Sequence, residues 1–332
     1  MTAPGGIIGG MAEPLHIAPV AADALPAVAA LVFARNRHAD GAPRCLHSDQ
    51  GDTLAAHVGE IAELPADERC FVAAWEAGAD PRAAPPIAAA GAEFELGLGR
   101  AWVRAPLLAA AFEQARAESA DALRERLLAA LLAALPPAVT RLDAFVHPDD
   151  AGLDALFARG GWTRVAVHHV LRADRAGGGP APAWPVGLSV ASVGADDPRA
   201  QAAMPLHDAL FPTSYLPPSA MLASLDQTHR LFVAERRGRV VGYLYAQRRP
   251  ADADGYIEYL GVEASERGRG VAGAILREAL AWLVEDPAVR HVDLTVRTDR
   301  PEALALYARA GFVRRYSGVQ WRLERVERLE RP

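Results

Sequence analysis

Residues 259–284 read Tyr259-Leu-Gly-Val-Glu-Ala-Ser-Glu-Arg-Gly-Arg-Gly-Val-Ala-Gly-Ala-Ile-Leu-Arg-Glu-Ala-Leu-Ala-Trp-Leu-Val284. A short apolar strand runs into a loop of alternating arginine and glycine. The loop opens a helix with Ala272, Ile275, Leu276, Ala279, Leu280 and Leu283 on one face. The first turn of a helix carries N–H groups without acceptors and the positive end of the dipole. Glycines let the backbone approach a ligand closely, so this strand, loop and helix make a cradle for an anion. No Lys-Ser/Thr follows the glycines, which excludes a nucleotide-hydrolysing P-loop. A dinucleotide site is not expected either.

Outward from this stretch the second half alternates strands and helices. Strands are expected over 187–193, 231–236, 239–247, 256–262, 291–297 and 312–323, with a hairpin at Arg237-Gly238. Helices are expected within 200–225, broken at Phe211-Pro-Thr-Ser-Tyr-Leu-Pro-Pro218, and over 271–283 and 301–310. The Gly/Pro cluster Arg175-Ala-Gly-Gly-Gly-Pro-Ala-Pro-Ala-Trp-Pro185 reads as a linker.

The chain also repeats itself. Residues 142–162 align with 292–312 at a constant offset of 150, without a gap. Asp143 meets Asp293, Leu156 meets Leu306, Arg159 meets Arg309, Gly161 meets Gly311 and Trp162 meets Phe312. Strands near 70–76, 86–96 and 141–147 and a helix near 120–135 carry the same plan in the first half. The organisation expected is a loose leader over 1–14, a domain over 15–174, a linker over 175–185 and a domain over 186–332. Each domain is α/β, a mixed sheet with helices on its faces.

Two motifs of the second half resemble those of the GNAT superfamily of acyl-CoA-dependent N-acyltransferases. The family's Arg/Gln-x-x-Gly-x-Gly/Ala loop stands here as Arg267-Gly268-Arg269-Gly270-Val271-Ala272. Its later Asn-x-x-Ala-x-x-Leu-Tyr-x-x-x-Gly-Phe stands as Arg300-Pro-Glu-Ala303-Leu-Ala-Leu306-Tyr307-Ala-Arg-Ala-Gly311-Phe312, with only the leading Asn replaced, by Arg300. The resemblance covers 186–323 by motif and 15–172 by architecture. It implies two tandem GNAT-like domains, of the kind seen in mycothiol synthase-like members.

By that resemblance the anion is the pyrophosphate of coenzyme A, and acetyl-CoA is the co-substrate. Its expected contacts are Arg267, Gly268, Arg269, Gly270, Val271 and Ala272 at the phosphates and Leu260, Gly261 and Val262 along the pantetheine arm. Arg300 and Tyr307 complete the set. The N–H of Leu260 is the expected oxyanion donor. Tyr307 is the expected general acid for the departing thiolate, and Glu258, on the same strand face as Tyr256, the expected base for the attacking ammonium. Acceptor specificity is expected in 207–218, with His207, Asp208 and Tyr215 as lining groups. His229 and His291 read as surface residues.

The same offset carries Arg267 through Ala272 onto Ala117-Glu118-Ser119-Ala120-Asp121-Ala122, Tyr307 onto Phe157 and Glu258 onto Leu108. Both glycines are lost, and two carboxylates would face a diphosphate. The first domain is therefore expected to be degenerate, keeping the fold without the cofactor.

Composition narrows the partners. The chain of 332 residues carries 35 Lys+Arg against 41 Asp+Glu and a formal charge of −6, which disfavours nucleic acid. No apolar run is long enough for a membrane, and the start lacks the pattern of a signal peptide, so a cytoplasmic protein is expected. Two cysteines, Cys45 and Cys70, form no framework, and the adjacent His168 and His169 would point to opposite faces of a strand, so no metal is expected. The expected function is acetyl transfer to a primary amine of a small molecule by direct attack in a ternary complex, by a monomer or homodimer. The alternative is an acyl-CoA-binding sensor without turnover.

Overall fold

A computed structural model of the chain describes residues 15–45, 54–175, 184–249 and 253–325. The expected leader, and residues 176–183 of the expected linker, lie outside the described residues. The chain divides into two compact units, one of residues 1–165 with 319–332 and the other of residues 166–318. This departs from the boundaries expected from the Gly/Pro cluster. Residues 166–174 belong to the second unit, and 319–332 to the first.

The first unit runs β1 (Leu15–Pro19), α1 (Leu25–Arg35), α2 (Leu54–Glu63), β2 (Arg69–Glu76), β3 (Ala88–Glu95), β4 (Arg100–Leu108), α3 (Ala110–Ala115), α4 (Ala117–Ala134), β5 (Arg141–Val146) and α5 (Ala151–Arg159). Its strands pair antiparallel in chain order through β4, and β5 then joins β4 in parallel. Strand β4 was not anticipated, because Arg100, Arg104 and Pro106 interrupt its apolar pattern. The proline lies beyond Val103, where pairing with β5 stops and an N–H is not needed on that side.

After β6 (Thr163–Asp174), the second unit repeats the plan as β7 (Leu188–Val193), α6 (Pro198–Leu210), α7 (Pro218–Ala223), β8 (His229–Arg236), β9 (Arg239–Arg249), β10 (Asp254–Val262), α8 (Val271–Glu285), β11 (His291–Arg297) and α9 (Pro301–Arg309). The last strand is β12 (Val313–Glu324). Strands β7 to β10 pair antiparallel in chain order and β11 joins β10 in parallel. One apolar cluster covers one sheet face with α8 and α9, built on Ile257, Val271, Ile275, Ala279, Leu283 and Tyr307. A second covers the other face with α6 and α7, built on Met204, Met221, Tyr243, Tyr245 and Tyr259. Each large apolar side chain so buried contributes about 1.5–3 kcal/mol.

The division of the chain follows from strand pairing. Residues 168–174 of β6 pair antiparallel with β11, and residues 319–324 of β12 pair antiparallel with β5. Matching ion pairs fix both. Arg172 grips Asp293 through two hydrogen bonds of 2.7 and 2.6 Å. The equivalent Arg322 meets Asp143 at 2.9 Å, joined there by Gln320 at 2.8 Å and Arg100 at 2.9 Å. Burial alone would raise the Asp143 carboxyl, but Arg100 and Arg322 hold it below its ordinary range. Because β6 and β12 are copies of one strand, a repeat read along the chain does not reveal which sheet each completes.

His57 on α2 is fully buried, and neither ring nitrogen finds a hydrogen-bond partner among the described residues. Burial, with Arg104 adding, pushes its pKa down from 6.5 to about 4. The folded chain therefore holds it neutral while the unfolded chain takes up a proton, so its contribution to stability is lost as pH falls through that window. Melting temperatures at pH 7 and pH 5 are expected to fall further apart for the parent than for His57→Leu.

Candidate active site

The second unit's sheet opens at one end. The parallel ladder between β10 and β11 pairs residues 254–257 with 291–294 and stops there. Strand β10 stays paired with β9 as far as Val262 opposite Gly242, with a bulge at Glu258. The bulge changes which face the strand presents. Ile257 lies in the α8 cluster, yet Tyr259, two residues on, lies in the α6 and α7 cluster.

Backbone direction follows from the same ladder. The Glu263 N–H donates to the Val241 carbonyl at 2.9 Å. By alternation, Gly261 also faces β9, while Leu260 and Val262 turn their backbone groups to the open side. The Val262 carbonyl accepts a bond from Arg267 Nε at 3.2 Å, consistent with that direction. The N–H of Leu260 thus points into the gap between β10 and β11.

The glycine loop lies at the same end of β10. Gly268 and Gly270 both take left-handed φ, +73° and +80°, and Gly270 caps α8 without a side-chain bond. The first helical bond of α8 joins the Ala274 N–H to the Gly270 carbonyl. The N–H groups of Val271, Ala272 and Gly273 are therefore left at the helix N-terminus without intrahelical acceptors. Residues 267–270 are exposed. A Cβ at Gly268 would meet open space, whereas one at Gly270 would lie 3.1 Å from Pro185 Cγ. Arg267 braces the loop against Val262, and Arg269 is 59% exposed, 3.7 Å from Glu266.

Tyr307 sits on α9 with 8% exposure, edge-on to Phe312 at 5.7 Å between centroids. Burial, with the Tyr256 phenol adding, pushes its hydroxyl up to about 12. It stays protonated at neutral pH, as a proton donor must. Arg300 occupies the N-cap of α9, its side chain mostly exposed and 3.8 Å from Asp299.

Glu258 lies half-buried at the bulge, where Gln247 Nε2 donates to its Oε2 at 3.4 Å. His207 is not a lining group. It is fully buried, with Nδ1 2.7 Å from the Tyr243 hydroxyl and Nε2 3.1 Å from the Leu216 carbonyl, so it pins the loop after α6. Tyr215 on that loop is exposed, its ring 6.2 Å from that of Tyr259. His229 is more than a surface residue. It bonds Gln247 at 3.2 Å and faces Asp226 at 3.1 Å. Gln247 and Asp226 escaped the sequence reading because neither belongs to a motif. His291 falls between Asp254 and Asp293, whose carboxylates Arg249 and Arg172 already hold, so this group is an ion-pair cluster.

The first unit shows the same parting, closed from within. Its parallel ladder ends at Val103 and Ala144. Beside the gap, Cys45 forms an antiparallel bridge with Val146, and the His147 N–H donates to the Arg44 carbonyl at 2.8 Å. The Cys45 thiol lies 3.9 Å from the Ala105 carbonyl, and burial pushes it up to about 12. Buried Asn36 clamps the segment, donating to the Cys45 carbonyl at 3.0 Å and accepting from its N–H at 2.6 Å. Asn36→Ala is expected to cost about 3 kcal/mol in chemical denaturation, since two buried bonds go and two backbone groups lose their partners.

Strand register also corrects the alignment of β4 with β10. Arg100 pairs with Arg141 where Asp254 pairs with His291, so the offset here is 154, not 150. Glu258 therefore corresponds to Arg104 instead of Leu108, and Leu260 to Pro106, which has no N–H. Helix α3 fills the stretch that is a glycine loop in the second unit, and Phe157 stands fully buried in place of Tyr307.

Residues 200–312 match the acetyltransferase (GNAT) family. The chain is 35% identical over 113 residues to N-alpha-acetyltransferase RimI of Mycobacterium tuberculosis, covering 33% of this chain and 68% of that protein. It is 31% identical over 193 residues to mycothiol acetyltransferase of Clavibacter michiganensis subsp. michiganensis, covering 54% of this chain and 61%, less than two thirds, of that protein. A solved tandem GNAT protein from the clavulanic acid biosynthesis pathway superposes with a TM-score of 0.55 at 19% identity, over 94% of this chain and 98% of its own. With the fold present twice and the glycine loop intact in the second copy, the chain belongs to the acetyltransferase (GNAT) family.

Proposed function

We propose that the second unit transfers an acetyl group from acetyl-CoA to a primary amine, by direct attack within a ternary complex. The observation that carries this reading is the parting of β10 from β11 beside an uncapped helix N-terminus. The N–H groups of 268–272 bind the diphosphate, with Arg269 and Arg300 adding positive charge and Arg267 bracing the loop. Leu260, Gly261 and Val262 present backbone to the pantetheine arm, and the Leu260 N–H stabilises the oxyanion.

The amine nitrogen attacks the thioester carbonyl after Glu258 takes the ammonium proton, directly or through water. The carbon–sulfur bond then breaks, the thiolate takes the Tyr307 proton, and the second proton shed by the nitrogen restores the phenol through solvent. The names of the relatives, an N-alpha-acetyltransferase and mycothiol acetyltransferases, favour an acceptor that is either an α-amine or a mycothiol-like small molecule. The buried, unreactive Cys45 and the position of Cys70 on β2 of the first unit give no support to an acyl-enzyme route.

Thiol release from acetyl-CoA, followed colorimetrically across peptides and small primary amines, tests the reading. Amine-dependent release with one coenzyme bound per chain is expected. Tight coenzyme binding with no release across the set would favour a sensor.

A further inference from the structure

Four polar side chains form a row on one face of the second unit's sheet. His229 on β8 is the register partner of Gln247 on β9, and Gln247 is the partner of Tyr256 on β10, just before the Glu258 bulge. Gln247 Nε2 lies 3.4 Å from Glu258 Oε2, and Gln247 Oε1 lies 3.2 Å from His229 Nε2. His229 Nδ1 is 3.1 Å from Asp226 Oδ1 and 3.0 Å from Thr228 Oγ1. A carboxylate only accepts, so the amide must turn its NH2 to Glu258 and its carbonyl to His229, whose Nε2 then donates. The Tyr245 ring stacks on His229 at 6.1 Å.

The first unit supplies an internal comparison. Register places Arg69 and Glu93 where the second unit has His229 and Gln247, and Arg104 follows Glu93's partner Trp102 by two residues, as Glu258 follows Gln247's partner Tyr256. There Arg104 donates to Glu93 in a partly buried ion pair. In the second unit an amide, Gln247, donates to the carboxylate of Glu258. A cation at that position would depress the proton affinity of Glu258, and a second acid would raise it, whereas an amide donor orients the carboxylate and leaves its charge in place.

We propose that Gln247, held by His229 and Asp226, is the positioning residue that aims Glu258, lowering its basicity less than a cation there would. This rests on Glu258 being the acceptor of the ammonium proton. A neutral amide passes no proton onward, so the row orients and does not shuttle. Polar groups nearby include Tyr256 and Tyr259 on β10, Arg249 of β9 over the Tyr256 ring at 4.7 Å, and Thr295 of β11 bonded to the Tyr256 hydroxyl at 2.9 Å.

The test is an NMR titration of the full chain carrying carbon-13 in its glutamate carboxyls, with Glu258 assigned from Glu258→Gln. The Gln247 side-chain NH2 signals are expected to follow the Glu258 midpoint. Gln247→Leu should raise that midpoint by about half a unit or more, Gln247→Glu should raise it by about one unit or more, and Gln247→Lys should lower it by about one unit. Circular dichroism and melting confirm that each variant folds. NH2 signals flat through the Glu258 titration, or midpoints all within about 0.3 unit of the parent, would overturn the proposal. This readout needs no acceptor. Full acetyl transfer by Glu258→Gln in the amine assay would remove the catalytic role of the whole row. Lost transfer with unmoved midpoints would sink the row alone.

Discussion

Gly268→Asp is expected to weaken coenzyme A binding by about 100-fold or more, equivalent to ~2.7 kcal/mol. The prediction separates charge from shape. A Cβ at Gly268 meets nothing within 4 Å, so the side chain has room. The backbone there has φ +73°, a conformation that aspartate and asparagine tolerate better than other non-glycine residues. A carboxylate about 4 Å from a phosphate costs about 4 kcal/mol per charge pair at the effective dielectric of a protein surface, before screening by salt. Gly268→Asn has nearly the same shape and conformational preference without the charge, and should lose about tenfold or less. Calorimetric titration with coenzyme A reads both. If the two variants bind alike, the loop is not the diphosphate site. Binding that survives in Gly268→Asp at full stoichiometry would place the coenzyme elsewhere in the chain, against the occupied gap of the first unit.

What the sequence disclosed, and what it did not, follows from how locally each feature is encoded. The loop from Arg267 to Ala272 and the helix ending at Gly311 are local motifs, so the fold and the strand–loop–helix turn could be read directly. α8 runs Val271–Glu285, close to the expected 271–283, because its apolar face repeats at the helical period. The bulge at Glu258 left no such signal. It depends on how β10 pairs with β9, and it decides that Glu258 and Tyr259 lie on the α6 and α7 side of the sheet. The shift from 154 to 150 between the copies is hidden for the same reason, since it falls in α4 and its connection to β5, which together run four residues longer than α8 and its connection to β11. That error made Leu108 the counterpart of Glu258 and concealed the Arg104–Glu93 pair. The closing of the first unit's gap by Arg44 and Cys45 is a contact between residues about a hundred positions apart, invisible to any periodicity.

Tyr307→Phe is expected to lower kcat by about 100-fold or more, the usual scale for losing a positioned general acid, while coenzyme A affinity stays within about threefold. The substitution removes one oxygen from a ring held at 8% exposure against Phe312, so packing is retained. Burial and the neighbouring Tyr256 account for the upward shift of the phenol, with no hydrogen bond among its causes, so removing the hydroxyl should leave the melting temperature nearly unchanged. The first unit already carries this substitution, since Phe157 fills the equivalent place with its ring fully buried. A hydroxyl pushed up to about 12 stays protonated across an ordinary assay range. Any loss of rate between pH 8 and about pH 10 must then belong to another group, and the limb should appear unchanged in the residual activity of the variant. An undiminished kcat in Tyr307→Phe would mean that the thiolate leaves unaided or takes its proton from water, and Tyr307 would then be a packing residue of α9. A large fall in coenzyme affinity with kcat preserved would make the phenol a binding group for the thioester arm instead of its acid.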